Sequence, residues 1–522
     1  MQRALLIDEI IRTIFRYSSE DGHGTLNALS RTCRAWKEPA LDCLWMRLSS
    51  ITPLLHLIPG VQLVNGTYVL EQLDISPDLT RFHSYAYRVK HVTHRQLVQV
   101  HPAVLHILSA ELAGRASDDC VGLLPSLRSA QLPASNCNGV QACFSLSDKL
   151  RKLDLDLGFK SQRPQFSDEH IRQYLEAVVK IASGLQELRI RGSLDQNLFG
   201  FVSSMRNLQK LSLRLGTSLT TDGLLAIAGF QNLSELEVHA GYVDADEFSN
   251  ALLNRHQPAF PSLKKLHIRA RSPVLERVLD SVTADALHTL HIEVEEPTGF
   301  PVVWRNIFEA TCSKAANTLQ NFTIEHHIEL DDSGIESNSG ADPTSPSGSP
   351  GQPKTNIPIP FSDLQGLKPL HLLRRLVLDT TLPPAISDEE LDTLVGGWPE
   401  LEHLDLGLAA PSTRAGQEAR SPTFQSLITM ATKAQKLTAL VMSMSADARG
   451  IDVTSIPSDA PCQHALTRLS LACTPPSDPA QVARYLHRLF PSLIEADGLP
   501  EHEEAWTRVS NELRTLCIAT SS

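Results

Sequence analysis

Residues 185–215 read LQELRIRGSLDQNLFGFVSSMRNLQKLSLRL. The stretch opens and closes on one phrase, Leu-x-x-Leu-x-Leu, first at Leu185 and again at Leu208, with Ile190 taking the last place of the first copy. Its fourth and sixth positions alternate as the residues of a strand do, so both point to one face. The intervening residues of the phrase are polar or charged, as at Glu187 and Lys210, which suits a second face turned to water. The leucine three residues upstream turns inward at the approach to the strand.

Working outward, the same phrase starts at Leu70, Leu150, Leu233, Leu263, Leu287, Leu319, Leu373, Leu401, Leu437 and Leu466, with Ile, Val, Phe or Met as occasional substitutes. Leu127 and Leu493 begin degraded copies. Helical spacing fills the intervals, as in Ile171, Leu175, Val178, Val179 and Ala182, or in Leu391, Leu394, Val395 and Trp398. Ser387 with Glu390 makes a capping-box signature before the second of these. One phrase alone reads equally as an ordinary buried strand; twelve in series do not. Strand, turn and helix repeated mostly every 23–36 residues describe an α/β leucine-rich-repeat solenoid, with a parallel sheet on its concave face and helices outside. The asparagine or cysteine that usually follows such a phrase is missing: Gly158, Ser193, Gly216, Gly241 and Arg271 stand there. Without that backbone ladder, uneven curvature is expected.

Composition agrees. Of 522 residues, 77 are leucine, while aromatics make up only 5%. Hydrophobic residues at 42% can bury a large core. The 47 Lys and Arg against 59 Asp and Glu leave a net charge of −12, which argues against nucleic acid as a partner. No run of 18 apolar residues occurs, and Met1–Glu20 lacks a signal-peptide core, so no membrane partner is expected. The nine cysteines are scattered and contain no CxxC pair. They suggest neither a disulfide framework nor a zinc knuckle, and fit a reducing cytoplasmic or nuclear setting. Gly-rich phosphate loops, GxSxG and HExxH are all missing, so no enzyme activity, cofactor or metal is expected. His91 and His94, and the pair His326–His327, read as surface strand residues, and Cys33 and Cys43 as small core residues.

The repeats are interrupted. Residues 331–360 hold six Ser, six Pro and four Gly with no Leu, Val or aromatic residue, the composition of a disordered insertion. Residues 409–422 and 445–461 look like shorter versions. Three segments follow: 1–50, a three-helix domain; 51–125, a linker or irregular first repeats; and 126–522, the repeat solenoid.

Residues 5–48 carry no repeat phrase and read LLIDEIIRTIFRYSSEDGHGTLNALSRTCRAWKEPALDCLWMRL. Leu6, Ile10, Ile14 and Phe15 mark one apolar helical face; Leu26, Leu29 and Cys33 begin a second short helix; Pro39 ends or restarts a third, with Leu41, Leu44 and Trp45. This segment resembles an F-box. Leu6-Ile7-Asp8-Glu9-Ile10-Ile11 with Ile14-Phe15 is similar to the family's opening, although Ile7 stands where proline is usual. Leu29-Ser30-Arg31-Thr32-Cys33-Arg34-Ala35-Trp36 is similar to its centre and Leu44-Trp45 to its close. With Tyr85–Lys90 and Ser387–Leu406, the chain resembles fungal F-box proteins with leucine-rich repeats.

That resemblance implies a substrate-recognition subunit of an SCF-type, cullin–RING ubiquitin ligase, with no catalysis of its own. Leu6, Ile7, Ile10, Ile11 and Ile14 would face a Skp-type adaptor, and through it the cullin and RING subunits. Leu29, Cys33, Arg34 and Trp36 would add a second contact, and Leu44 and Trp45 would lock the third helix. The alternative is that these residues only cap the first repeat of a ligase-independent scaffold. A protein substrate, not identified by the sequence, would meet the concave face. Candidates by geometry are Glu187, Arg189, Lys210, Ser212, Arg214, Glu237, His239, His267 and Arg269, with Glu235, Lys265, His288 and His291 beside them. Asp332-Ser333-Gly334-Ile335-Glu336-Ser337 resembles a phosphodegron, which makes Ser333 and Ser337 candidate phosphosites; Ser345 and Ser349, each before a proline, are two more.

Overall fold

The structure, a computed structural model, describes residues 7–18, 22–71, 77–114, 122–158, 167–193, 196–215, 219–255, 257–297, 302–327, 358–408, 421–444, 462–476 and 478–521. Leu6, Ser333, Ser337, Ser345 and Ser349 lie outside these residues, as does most of the 331–360 segment. At the far edge of that segment Ile359 is buried, and Pro360 bridges to Ala385. The chain divides into two compact units, Met1–Leu233 and Ser234–Ser522.

The first unit opens with three helices, α1 (Asp8–Ser18), α2 (His23–Thr32) and α3 (Arg34–Trp45). Pro39 neither ends nor starts a helix: α3 runs through it, and the break falls at Cys33, whose backbone is extended at φ −157°. The strands then follow as β1 (Arg47–Leu48), β2 (Val61–Val64), β3 (Thr67–Leu70), β4 (His91–Thr93), β5 (Gln99–Val100), β6 (Ser129–Pro133), β7 (Lys152–Gly158), β8 (Glu187–Gly192) and β9 (Lys210–Arg214). A parallel ladder runs β1-β4-β6-β7-β8-β9. It therefore begins directly after α3, well before the run of clear phrases at Leu150. The phrase at Leu70 misleads, because β3 pairs antiparallel with β2 in a separate small sheet. Asn65 and Gly66, at φ 49° and 81°, make the two-residue turn of that hairpin, where the left-handed backbone matches strand twist.

The second unit carries β10 (Glu235–His239), β11 (Lys265–Ala270), β12 (Thr289–Val294), β13 (Asn321–His326), β14 (Arg375–Thr380), β15 (His403–Asp405), β16 (Ala439–Ser443), β17 (Arg468–Ala472) and β18 (Glu495–Gly498). They pair in chain order, every pair parallel. The degraded phrases at Leu127 and Leu493 thus supply true ladder strands, β6 and β18. In register, the fourth position of successive phrases stacks as Leu236, Leu266, Leu290, Phe322, Leu376, Leu404, Leu440 and Leu469, none more than 3% exposed. Burial of each such side chain contributes about 1.5–3 kcal/mol.

Helices form where the spacing predicts and pack their apolar residues into the core. Ser167–Ile181 buries Ile171, Leu175 and Val178 in the first unit, and Asp388–Val395 buries Leu391, Leu394 and Val395 in the second. The Ser387 capping box is formed: the Glu390 N–H donates to Ser387 Oγ at 3.3 Å, and the Ser387 N–H donates to Glu390 Oε2 at 2.8 Å. Glu503–Ser521 closes the array by packing Trp506, Val509 and Leu513 against its last repeat. Ser510 Oγ accepts from the Ala496 N–H at 3.0 Å and donates to the Ala496 carbonyl at 2.6 Å, which satisfies the edge of β18. Gly498 admits the indole, since a Cβ there would lie 2.3 Å from Trp506 Nε1.

His94 is not a surface residue. It is 2% exposed, its Nε2 lies 2.8 Å from Ser145 Oγ, and burial lowers its pKa to about 4. The folded chain therefore keeps it neutral, while the unfolded chain protonates it near 6.5. As pH falls, the unfolded state takes the proton first. Stability is complete above about 6.5 and declines until about 4, by about 3 kcal/mol from this group. Urea unfolding at pH values near the two ends of that window should show a smaller acid loss for His94→Gln than for the native chain. Equal losses would mean that His94 titrates normally when folded.

Candidate functional site

The N-terminal helices share a small core of Ile11, Phe15, Leu26 and Ala40, with Leu29, Trp36, Cys43 and Leu44 packed against it. Phe15 and Trp36 meet edge to face, ring centroids 5.7 Å apart. Helix α1 turns Ile11 and Phe15 inward, one helical turn apart. Its adjoining face presents Ile10, Ile14 and Tyr17 at 39, 41 and 70% exposure, and Ile7, just before the helix, is 46% exposed. Their spacing places them along one stripe.

Charge fixes this small unit in place. Arg12 donates to Asp8 at 2.6 Å and to Asp42 at 2.9 Å, tying α1 to α3. Those bonds to Asp8 and then Asp42 raise its pKa. Arg88 holds Glu38 and Asp42 from the segment before β4, and Trp45 lies against Tyr85 at 4.5 Å between centroids. The 85–90 segment, singled out in the sequence, therefore seats α3 on the first repeats.

The expected adaptor-facing residues thus separate into two groups. Ile7, Ile10, Ile14 and Arg34 are exposed. Ile11 belongs to the core instead, and Leu29, Trp36 and Leu44 are half-buried against it. Cys33 is half-buried at the helix break, and Trp45 is half-buried beside Tyr85. Size and polarity alone did not distinguish these roles. Position on the helix does: in α1, residues 11 and 15, four apart, face in, while 10, 14 and 17 lie on an adjoining face turned out, and Ile7 is exposed just before the helix begins.

On the strand face of the first unit, Glu187 stands beside Lys210 and Arg189 beside Ser212 in register, with Arg214 exposed at the end of β9. Glu187 receives Lys152 at 2.7 Å and Arg189 at 2.9 Å. In the second unit the rows run Glu235–Lys265, Glu237–His267–His291 and His239–Arg269–Glu293. Lys265 reaches Glu235 at 3.1 Å and Arg269 reaches Glu295 at 3.1 Å, a bond that raises the arginine's pKa. Half-exposed pairs of this kind stabilise by about 0–1 kcal/mol. What they do is cancel any single-sign field on the face. His288 is not part of it: it precedes β12, and its Nδ1 meets the Ala286 carbonyl at 2.8 Å.

One cluster stands out from the pairs. His267 and His291 stack with centroids 3.9 Å apart and planes 3° from parallel. His267 Nε2 is 2.5 Å from Glu293 Oε1, and this hydrogen bond holds the Glu293 carboxyl down to about 2. Burial first, and then the charge of His267, lowers the His291 imidazole. Among the described residues, these three form the group of His, Cys, Asp or Glu whose ligand atoms all lie within 4.8 Å of one another. A search for metal-ligand spacing misses them because 24 residues separate the histidines. The available signal was their shared place, fifth in the adjacent phrases LKKLHI and LHTLHI.

No protein-family model matches this chain, and no curated protein matches it. Among solved structures, an internalin from Listeria monocytogenes is similar over 78% of this chain and 92% of its own, at 10% identity and a TM-score of 0.34. A chain of the yeast Rad7 and Elc1 complex is similar over 89% of this chain and 92% of its own, at 10% identity and a TM-score of 0.31. Among the described residues, no helix is long and apolar enough to cross a membrane.

The two groups on the N-terminal helices should respond differently to substitution. Trp36→Ala removes a ring packed on Phe15 and should destabilise the three-helix unit by about 2–3 kcal/mol. Ile10→Asp changes an open position and should stay within about 0.5 kcal/mol of the native chain. Thermal melting combined with limited proteolysis of residues 8–45 reads both. Native-like resistance in Trp36→Ala would show that the tryptophan is not a packing residue.

Proposed function

We propose that the chain is the substrate-recognition subunit of an SCF-type ubiquitin ligase. In this reading α1–α3 are an F-box that binds a Skp-type adaptor, and through it cullin and RING subunits, while the strand faces hold a protein substrate. The observation that carries the proposal is the exposed apolar stripe Ile10, Ile14 and Tyr17, led by Ile7, on a helix whose adjoining face already anchors its own core. A helix with two adjoining apolar faces satisfies its fold with one and leaves the other for a groove. Anchors of this size, clustered and desolvated together, are the residues that dominate an interface. Trp36, Leu29 and Leu44 support the reading indirectly, by building the platform on which α1 is held.

The chain would do no bond chemistry in such a complex. Its contribution would be to keep a substrate beside a ubiquitin-loaded partner, so that an encounter limited by diffusion becomes a local one. The paired charges of the strand faces suit a protein surface of mixed sign. A cytoplasmic or nuclear location follows from this role.

Co-expression with the host's Skp-type adaptor, followed by affinity measurement on the full chain, tests the proposal. Ile10→Asp and Ile14→Asp should each weaken adaptor binding by about 100-fold or more, the size of an interface hot spot. Leu253→Asp, at an exposed apolar position in the second unit, should leave it unchanged. A folded native chain that does not bind the adaptor would overturn the proposal in favour of a ligase-independent scaffold. Binding that survives both α1 variants would overturn the assignment of the stripe.

A further inference from the structure

The geometry points to a divalent transition-metal site of the zinc class on the strand face of the second unit, formed by His267, His291 and Glu293. The site is independent of the adaptor proposal, since none of its residues belongs to α1–α3.

Parallel register creates the site. His267 on β11 and His291 on β12 are direct partners, and Glu293 follows two residues later on the same face of β12. Adjacent strands lie about 4.8 Å apart, so like side chains in register approach one another closely. The two imidazoles do so at 3.9 Å between centroids, with Glu293 placed diagonally on His267 Nε2 at 2.5 Å. Zinc binds imidazole nitrogen and carboxylate oxygen at roughly 2.0–2.2 Å, so donors sharing one tetrahedral ion stand roughly 3.3–3.5 Å apart. The present separations, all within 4.8 Å, bracket that value. The His267–Glu293 pair must open slightly, and the parallel rings must turn so that their nitrogens converge on the ion. Each side chain is about a quarter exposed. Each can therefore rotate without disturbing Leu266, Ile268, Leu290 and Ile292, which are buried on the opposite face.

The surroundings favour a cation. Glu237 Oε1 lies 3.6 Å from His267 Nδ1, and Glu325 Oε1 lies 2.8 Å from His291 Nε2. Carboxylates beside metal-binding imidazoles fix the ring tautomer and strengthen the donor. Arg269, the nearest fixed positive charge, is held by Glu295 at 3.1 Å and stands 4.0 Å from Glu293. His239, beside Arg269 on β10, is a third imidazole facing the group. Glu237, Glu293 and Glu325 place three carboxylates around the two imidazoles, a setting that suits a cation. Two nitrogen donors and one oxygen select zinc, cobalt, nickel or copper over magnesium or calcium. Three protein ligands leave a fourth position open to water or to a donor from a bound partner.

The test uses the full chain stripped with chelator and titrated calorimetrically with zinc chloride. Cobalt chloride gives a parallel optical readout from the bands of a low-symmetry site. The native chain should bind one zinc more than His267→Gln or His291→Gln, or bind it about 100-fold more tightly. The exposed His464→Gln should match the native chain. Because loss of a ligand must not be confused with loss of fold, far-ultraviolet circular dichroism accompanies each variant. Glu293→Gln, a near-isosteric change, supplies a second independent ligand deletion. Affinity should fall between about pH 7.5 and about pH 5.5, where protons compete for the imidazoles. Zinc should also raise the melting temperature of the native chain more than that of His291→Gln. Unchanged zinc stoichiometry and affinity in a folded His267→Gln/His291→Gln double variant would overturn the site. Displacement of zinc by equimolar magnesium would do the same.

Discussion

The second unit depends on one constraint: parallel strands joined in strict register by a buried apolar stack. From Leu236 through Leu266, Leu290, Phe322 and Leu376, each fourth-position side chain rests on the one before it. Slipping a strand by one residue would turn this whole row to solvent, so the packing on the inner face fixes the register. The outer face must then accept whatever that register brings together. Residues in the same place of consecutive phrases become neighbours: Glu235 meets Lys265, Arg269 meets Glu293, and His267 meets His291. The chemistry of the face is a consequence of hydrophobic packing on its reverse.

Repeats that touch only their neighbours leave two ends to be covered. At the last strand, β18, a helix packs on the repeat. The helix Glu503–Ser521 buries Trp506, Val509 and Leu513, and Ser510 bonds both backbone groups of Ala496. The N-terminal end of the first unit is built differently. Helix α3 leads straight into β1, and Arg88 and Tyr85 brace it, so the covering task is already met by α3 and its neighbours. Helix α1 then adds an exposed apolar stripe beside the face that anchors its own core, which a cap does not require.

The repeating part of the fold was legible because its signal is summed over many copies. Twelve phrases and their spacing identify a leucine-rich array even though no single phrase does. Where the signal is local, competing features decide. Leu70 satisfies the phrase but follows an Asn65-Gly66 turn that commits it to a hairpin, and that dipeptide was visible in the sequence. Pro39 looked like a helix boundary, yet the chain breaks at Cys33, where extended backbone separates α2 from α3. His94 follows a strand with the polarity of a surface residue, but Ser145 satisfies its Nε2 in the interior, a contact 51 residues distant. The candidate site divides in the same way. The exposed stripe on α1 follows from helical periodicity, whereas the His267 cluster requires the register between strands, which periodicity within one strand does not contain.

The missing asparagine ladder gives these observations a common physical basis. A repeated side chain bonding the backbone at each turn would make every repeat the same length. Here individual residues do that work at individual places. Gln463 Nε2 donates to the carbonyls of Ala434 and Leu437, while its Oε1 accepts from the Leu466 N–H. Trp398 Nε1 donates to the Leu367 carbonyl. Such local solutions impose no common spacing, so the intervals between phrases vary. The longest interval in the second unit, between Leu319 and Leu373, still leaves β13 and β14 paired residue for residue from Asn321–Arg375 to His326–Thr380. Closing a longer loop adds only about 0.6 kcal/mol for each doubling of length. That is small beside the burial of Phe322, Ile324, Leu376 and Leu378 in the two strands it joins. The array therefore keeps its register across irregular connections because the apolar stack, rather than the loops, determines where each strand lies.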